Sequence, residues 1–199
     1  MSLIRVLAVC SGPVGPLIVR GNGPPQTVIS GIAKSARSTA EDPVRIGVTT
    51  LGLEGDEQAD RTVHGGLDKA VYVYPHQHYA FWRTVRMQAG IQEPLDPGAL
   101  GENLLVEGLA ETGVWIGDRL SVGEVELRVE SPRQPCFKFN ARMGFDWAVK
   151  MMVQSGYTGF YCSVLRAGTI AANDSAQLRA GSREISILQS HQLRNRRRR

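Results

Sequence analysis

The segment NLLVEGLAETGVWIGDRLSVGEVELRVE, residues 103–130, decides the fold of this chain. It contains four short runs rich in Leu, Val and Ile, separated by turns that contain glycine. These runs are residues 103–106, 114–116, 119–122 and 126–130. Apolar runs of this length between glycine turns are typical of β-strands. The segment therefore predicts four short strands joined by short connections.

The same pattern continues on both sides of this segment. Further strands are predicted at residues 3–10, 45–48, 70–74, 160–166 and 184–188. Helices are predicted at 76–87 and 145–154, with Gly156 as the stop of the second, and the Gly- and Pro-rich residues 12–25 are predicted as a loop. Many short strands with few helices indicate a mainly β (α+β) protein, with a β-barrel or curled sheet rather than a doubly wound fold.

Length and charge place most of the chain in one domain. The 199 residues suit a single domain over 1–190, followed by a basic tail at 191–199 that we expect to be disordered. The formal charge is +4, but Arg194 and residues 196–199 supply five of the 23 basic residues. The remaining 18 basic residues face 19 acidic ones. The body is therefore not a nucleic-acid binder by composition, and only the tail would attract polyanions.

The three cysteines restrict the chemistry and the setting. Cys10, Cys136 and Cys162 are too few for a disulfide framework or for the four thiolates of an iron–sulfur cluster. Cys10 and Cys162 lie in apolar runs and are predicted to be core. Arg5 interrupts the short apolar start, and no run approaches a membrane span, so we expect a cytoplasmic protein with no membrane association.

Cys136 is the candidate reactive thiol. It lies in SPRQPCFKFN, residues 131–140, between Arg133 and Lys138. Nearby cations favour the thiolate, which is the form that reacts and binds metals. Pro135 restricts the backbone beside it. The alternative is a buried structural cysteine beside two solvated cations, and the residue types alone leave both open.

A second polar group lies far away in sequence, in GDEQADRTVHGGLDKA, residues 55–70. Arg61 and Lys69 could bind an anion, and His64 could donate or accept a hydrogen bond. Gly65 and Gly66 permit positive φ and close approach of the backbone to a ligand. The alternative is a hairpin turn with ordinary surface charges.

Other groups of residues are weaker candidates for a functional site. His76 and His78 are two residues apart on a predicted helix and would not share a face, which disfavours a metal pair. Cys136 and His64 could form a nucleophile–base pair for hydrolysis. The aromatic residues between Tyr72 and Trp82 are predicted to pack in a core, although part of the group could shape a pocket for a planar substrate.

Taken together, these segments resemble the MOSC domain family (the carboxy-terminal domain of molybdenum-cofactor sulfurases), and in particular its YiiM-like branch. The matching pieces are GIAKS at 31–35, LEGD at 53–56, HGG at 64–66, DKA at 68–70, YP at 74–75 with HY at 78–79, GENL at 101–104, IGD at 116–118, and Pro-Arg with Pro-Cys-x-Lys within 132–138. The match runs from about residue 34 to 162. The resemblance implies a β-rich barrel-like fold that binds molybdopterin.

The resemblance also implies roles for individual residues. The cysteine matching Cys136 would be the protein ligand to molybdenum and the catalytic residue. The implied cofactor-binding residues are Lys34, Ser35, Arg61, His64, Gly65, Gly66, Asn103, Arg133 and Lys138. Among these, Lys34, Arg61 and Arg133 are the implied partners of the cofactor phosphate.

Two kinds of function follow from the resemblance. The first is a molybdenum-dependent oxidoreductase that reduces N-hydroxylated purine-type bases and so protects cells from base-analogue toxicity. Because the sequence contains no Gly-x-Gly-x-x-Gly fingerprint and too few cysteines for an iron–sulfur relay, electrons should come from a separate reductase, which we expect to be a flavoprotein. The second is a non-catalytic carrier of the cofactor, or of sulfur on Cys136. The resemblance also implies a three-helix segment after the barrel, which we do not expect residues 167–199 to accommodate.

Overall fold

The computed structural model describes residues 3–21, 23–60 and 65–196. In these residues the strands are β1 (Ile4–Ser11), β2 (Gly15–Val19), β3 (Gln26–Ser30), β4 (Ser35–Thr39), β5 (Ile46–Thr49), β6 (Gly52–Leu53), β7 (Val71–Pro75), β8 (Leu104–Glu107), β9 (Arg119–Val122), β10 (Val125–Pro132), β11 (Phe160–Arg166), β12 (Gly168–Ile170) and β13 (Ser175–Arg179). The helices are α1 (His78–Gln88), α2 (Phe137–Met143), α3 (Ala148–Ser155) and α4 (Ile187–Arg196), with a 3₁₀ turn at Leu67–Lys69.

Seven strands close into a barrel. Their order is β13-β9-β10-β11-β7-β8-β1, and pairing of β1 with β13 closes the ring, with Ile4 opposite Ala176. Neighbours are antiparallel except β7 and β8, which run parallel. Strand β4 extends the sheet by pairing with the second half of β1. The predicted mainly β fold with a barrel-like sheet is confirmed.

Strand β7 shows how the barrel builds two cores. Successive side chains of a strand point to opposite faces. Val71 and Val73 join the apolar cluster to which all seven barrel strands contribute. Tyr72 and Tyr74 join a second cluster outside the barrel, formed with α1, α2 and α3. A parallel strand covered on both faces is buried throughout, as β7 is, and most of the aromatic group was correctly predicted as core.

Several elements have the boundaries that the sequence predicts. Strands β9 and β11 have the predicted bounds, and helix α3 ends at Gly156, whose φ of 73° is the left-handed conformation that favours glycine. No helix within residues 3–21, 23–60 and 65–196 is long and apolar enough to cross a membrane.

Three predicted elements were wrong. Residues 12–25 are not all loop, because β2 forms a hairpin with β3. Residues 114–116 form no strand and contribute only a single bridge from Trp115 to Ser186. Residues 184–188 lead into α4, and β13 closes the barrel in their place.

The start of α4 has a local cause. The Gln189 amide donates to Ser186 Oγ (3.1 Å), and the Ser186 amide donates to Gln189 Oε1 (2.9 Å). This reciprocal pair is a capping box, the Ser-x-x-Gln signature of a helix start. The apolar residues Ile187 and Leu188 therefore belong to a helix although their composition suits a strand.

The tail predicted as disordered from residue 191 is wrong for residues 191–196, which lie in α4. His191 is buried, and its Nε2 lies 2.9 Å from the carbonyl oxygen of Val153 on α3. The helix is therefore anchored to the body of the protein, and its arginines at 194 and 196 lie in its last turn.

Candidate functional site

A cleft beside the barrel brings together five of the predicted site residues. We name it the Cys136 cleft. Its walls come from residues 30–34, 56–59, 101–103 and 133–138, with Lys69, Tyr72 and Tyr161. The predicted site residues that line it are Lys34, Asn103, Arg133, Cys136 and Lys138.

Cys136 lies where β10 ends and α2 begins. It is the residue before the helix, with an extended backbone (φ −124°, ψ 175°), and its side chain makes no capping hydrogen bond. It is half-buried, whereas Cys10 and Cys162 are completely buried. Burial raises the pKa of the Cys10 and Cys162 thiols and so keeps them protonated. Both were correctly predicted as core, and Cys136 is the thiol that faces the cleft.

Arg133 carries a fixed positive charge next to this thiol. Its side chain is buried between two rings, with the guanidinium carbon 5.0 Å from the centre of Tyr72 and 4.8 Å from that of Phe139. Its Nη1 donates to the carbonyl oxygen of Leu100. Arginine does not deprotonate in proteins, so this cation–π sandwich holds a permanent charge in the cleft wall.

Gln134 and Lys138 add hydrogen-bond donors on either side of Cys136. Lys138 Nζ donates to the carbonyl oxygen of Ile29 on β3 (3.0 Å), which ties α2 to the hairpin. Gln134 Nε2 is buried and has no hydrogen-bond partner in the described part of the chain. A buried donor without a partner is costly. Because Gln134 lines the cleft, a bound ligand could accept this hydrogen bond.

The floor of the cleft is a buried polar network centred on Asp56. Its carboxylate accepts hydrogen bonds from Lys34 Nζ, from the Gly12 amide (3.1 Å) and from Asn103 Nδ2 (2.9 Å). Burial lowers the pKa of Lys34, while the adjacent Asp56 opposes this shift. The Lys34 charge is thus already paired within the protein, which makes it a weaker partner for a ligand phosphate than the sequence suggested.

Asn103 is likewise occupied by the protein itself. Its Nδ2 also donates to the carbonyl oxygen of Cys10 (3.2 Å), and its Oδ1 accepts from the Tyr72 amide (2.9 Å). Both amide hydrogens are used, so Asn103 joins β1 to β7 and positions Asp56. Within this arrangement it supports the cleft.

Ser35, Gly65 and Gly66 are not among the residues that line the Cys136 cleft. Ser35 lines a neighbouring cavity. Gly65 and Gly66 lie behind the cleft wall, where the Gly66 amide donates to Oε1 of Gln58 (2.8 Å), a lining residue. Arg61 and His64 lie outside the described residues, so their predicted roles and the Cys136–His64 pair stay predictions.

Several lining residues were not among the predicted site residues, and among them Gln134, Tyr72 and Tyr161 offer an unpaired amide and an aromatic surface to a ligand. Gln134 lies between Arg133 and Cys136 in the sequence. A glutamine in a sequence does not indicate whether its amide will have a hydrogen-bond partner in the folded chain. Tyr72 and Tyr161 form a tilted aromatic pair with ring centres 5.0 Å apart. Tyr161 could have been found from strand alternation, because it must face away from its buried neighbour Cys162 on β11.

The donor set suits an anionic group that brings its own metal ligands. In residues 3–21, 23–60 and 65–196 no cluster of three or more His, Cys, Asp or Glu side chains could hold a bare metal ion. The cleft offers one accessible thiol, which as a thiolate is a soft ligand. It also offers the charges of Arg133 and Lys138 and the unpaired amide of Gln134. A metal already held by a negatively charged organic ligand fits this set.

Comparison with known proteins identifies relatives of this chain. The family model described as "MOSC domain" matches residues 60–177. The protein YflK of Bacillus subtilis is 39% identical over 168 residues, which cover 83% of this chain and 74% of YflK. The protein YiiM of Escherichia coli is 38% identical over 141 residues, covering 70% of this chain and 62% of YiiM. A Gibberella moniliformis protein named "Reductase" is 38% identical over 133 residues, covering 65% of this chain and 23% of that protein.

Solved structures agree with the sequence relatives. The crystal structure of YiiM from Geobacillus stearothermophilus superposes with a TM-score of 0.72 at 27% identity, covering 98% of this chain and 85% of that one. YiiM from Escherichia coli gives a TM-score of 0.64 at 26% identity, covering 91% and 77%.

Proposed function

Because this chain belongs to the MOSC domain family, which is associated with the molybdenum cofactor, we propose that the Cys136 cleft binds that cofactor and that the Cys136 sulfur ligates the molybdenum. The observation that supports this most directly is the placement of one half-buried thiol beside a buried arginine and an unpaired buried amide. Thiolate sulfur is a suitable ligand for a transition metal already held by sulfur donors.

Each residue around Cys136 makes a different contribution to holding such a group. Arg133 supplies a permanent positive charge in the cleft wall near the thiol, and Lys138 supplies a second positive charge at the start of α2. Gln134 donates to an acceptor on the ligand. The Lys34–Asp56–Asn103 network keeps the floor of the cleft in place. The paired rings of Tyr72 and Tyr161 offer an aromatic surface against which a planar group can pack.

We further propose that the protein reduces N-hydroxylated compounds, with purine-type bases as the substrate class. The overall reaction breaks the N–O bond, consumes two electrons and two protons, and yields the amine and one water. When bound, the molybdenum cofactor supplies the redox chemistry that the side chains lack. The protein contributes binding, orientation and the electrostatic field of the cleft.

The electrons are proposed to come from a separate reductase of the flavoprotein class. The matched part of the Gibberella protein named a reductase is only 23% of its length. A module like this one therefore occurs there inside a much longer chain with that name, which supports supply of electrons by another protein or domain. The three unpaired cysteines are compatible with the reducing, cytoplasmic setting that we propose.

The test is elemental and pterin analysis of protein purified from a molybdenum-replete host. We expect molybdenum and pterin in stoichiometric amounts with the wild-type chain, and loss of most of the metal in Cys136→Ala. Cys162→Ala is the matched control, because it removes a thiol buried in the barrel and should leave metal content unchanged. Equal metal content in the two variants would refute ligation by Cys136.

Turnover separates the enzyme from the carrier alternative. Loaded protein is mixed with an N-hydroxylated purine base, a flavoprotein reductase and a nicotinamide donor, and the amine product is measured. Bound molybdenum without turnover, even with the reductase present, would favour a carrier of the cofactor or of sulfur on Cys136. Turnover without the reductase would refute the separate electron donor.

A further inference from the structure

A second cavity lies next to the Cys136 cleft and is lined by cations that the proposed function does not use. We name it the Arg86–Arg142 cavity. Arg86 comes from the last turn of α1 and Arg142 from the last turn of α2. The other walls are the start of β4, residues 94–97 and Ala99, and Met143. Lys34 lines both the cavity and the cleft, so the two lie side by side.

Most hydrogen-bond donors of the two guanidinium groups make no bond to another residue within the described ranges. Arg86 Nη1 donates to the carbonyl oxygens of Glu93 (2.9 Å) and Pro94 (3.2 Å), and Arg142 Nε donates to that of Ala99 (3.1 Å). A guanidinium has five N–H donors. Arg86 Nε is buried and has no partner among the described residues. An arginine that only fixed a loop would not need to leave a buried donor unpaired.

The cavity also brings two positive charges close together. Across residues 3–21, 23–60 and 65–196, neither arginine forms an ion pair with a carboxylate. Burial lowers the pKa of Arg142, and the neighbouring Arg86 acts in the same direction, while buried Glu102 opposes both. Glu102 already accepts hydrogen bonds from Tyr79 and from the Gly98 and Leu100 amides. Asp96 also lines the cavity without pairing with either arginine.

From these observations we propose that the Arg86–Arg142 cavity is a second anion-binding site that takes a phosphate group. Guanidinium groups bind phosphate oxygens through paired, charge-assisted hydrogen bonds. A phosphate between the two arginines would meet the buried Arg86 Nε and relieve the repulsion between the cations. The exposed Ser35 at the start of β4 would offer a hydroxyl at the rim. This site is separate from Cys136 and stands whether or not the cleft binds molybdenum.

The test is titration of the full chain with inorganic phosphate at constant ionic strength, followed by the side-chain Nε–H signals of arginine in NMR spectra. We expect saturable shifts of the Arg86 and Arg142 signals, and at least about tenfold weaker binding in Arg86→Gln and Arg142→Gln. Arg179→Gln, on β13, is the matched control and should bind as the wild type does. Lys138→Gln should also bind normally, which separates this site from the Cys136 cleft.

Further titrations identify the source of the phosphate, and a replacement variant covers the case in which one variant fails to fold. A nucleoside 5′-monophosphate that binds at least tenfold more tightly than inorganic phosphate would identify a phosphate ester as the ligand, whereas equal affinity would identify the free ion. The unphosphorylated nucleoside should not shift the signals. If Arg142→Gln fails to fold, Arg86→Lys replaces it, since it keeps the charge and loses the paired geometry. Unchanged affinity in the Arg86 variants, or no shift of the Arg86 signal, would overturn the proposal.

Discussion

Cys136 and Cys162 are the same residue in two opposite surroundings. Cys162 lies on β11 among the apolar side chains of the barrel interior, and burial raises its pKa. Cys136 lies in a cleft wall with Arg133, Gln134 and Lys138 nearby. The side chains of the barrel interior pack against one another. In the cleft, the Cys136 thiol is only half-buried and the Gln134 amide has no hydrogen-bond partner among the described residues. The comparison teaches that position in the fold, and not residue type, separates structural from reactive cysteine.

The largest expected difference is in thiol reactivity. In the native, unloaded protein, iodoacetamide should modify Cys136 about a thousandfold faster than Cys10 or Cys162, because a fully buried thiol reacts only in the opened fraction of molecules, roughly 10⁻³ or less. Mass spectrometry of a labelling time course measures the three rates. Similar rates for Cys136 and Cys162 would remove the distinction on which the site rests.

The buried network under the cleft should give the next largest effect. Asp56→Ala leaves the Lys34 charge buried and unpaired, and should lower the free energy of unfolding by about 3–5 kcal/mol. Denaturant unfolding measures this loss. Glu57→Ala is the matched neighbour: Glu57 is exposed and accepts one hydrogen bond, from the Val14 amide, so the cost should stay below about 1 kcal/mol. Equal costs would mean that the network does not hold the cleft floor.

The buried carboxyl group of Glu102 should make the stability of the fold depend on pH. Burial raises the pKa of its carboxyl group, although hydrogen bonds from Tyr79 and the Gly98 and Leu100 amides oppose the shift. The folded state therefore binds this proton more tightly than the unfolded state does. Its stabilising contribution is present at low pH and is lost as pH rises through the folded pKa, with a limiting slope of about 1.4 kcal/mol per pH unit.

Unfolding free energies measured across a pH series test this sign. Glu102→Gln should lack this part of the slope and should be less stable throughout, because it replaces one acceptor with a donor facing a backbone amide. Glu107→Gln, at an exposed position, should retain the wild-type slope. A Glu102→Gln profile parallel to that of the wild type would contradict the assignment.

The smallest effect is expected at the outer surface of the barrel. Arg5 and Glu107 form an ion pair at 3.2 Å between β1 and β8, with side chains 46% and 53% exposed. Water and salt screen such a pair, so Arg5→Ala should cost less than about 1 kcal/mol. A loss as large as that of Asp56→Ala would show that burial does not govern the strength of ion pairs in this protein.

Much of the fold could be predicted because its signals are local. Short apolar runs located β7, β9 and β11, and Gly156 marked the end of α3. The prediction failed where composition and capping disagreed: Ile187 and Leu188 suit a strand, but Ser186 and Gln189 start a helix. The capping box was present in the sequence and could have been recognised. The hairpin of β2 and β3 was hidden by the Gly and Pro residues around it.

The candidate site was predicted less completely. The cations around Cys136 indicated a reactive thiol, and the structure places Arg133 and Lys138 beside it in one cleft. The pairing of Lys34 with Asp56 could not be predicted, because it joins separate segments through the folded chain. The same holds for Gln134, whose unpaired amide is a property of its surroundings.

The sequence by itself determined that this protein is mainly β, its family resemblance and the choice of Cys136, because apolar runs between turns, motif order and neighbouring charge are all present along the chain. Tertiary structure alone decided that β1 and β13 meet to close the barrel, that Lys34 forms an ion pair with Asp56, and that Arg86 and Arg142 share a cavity. Each of these depends on residues far apart in sequence that come together only when the apolar faces of the strands are buried.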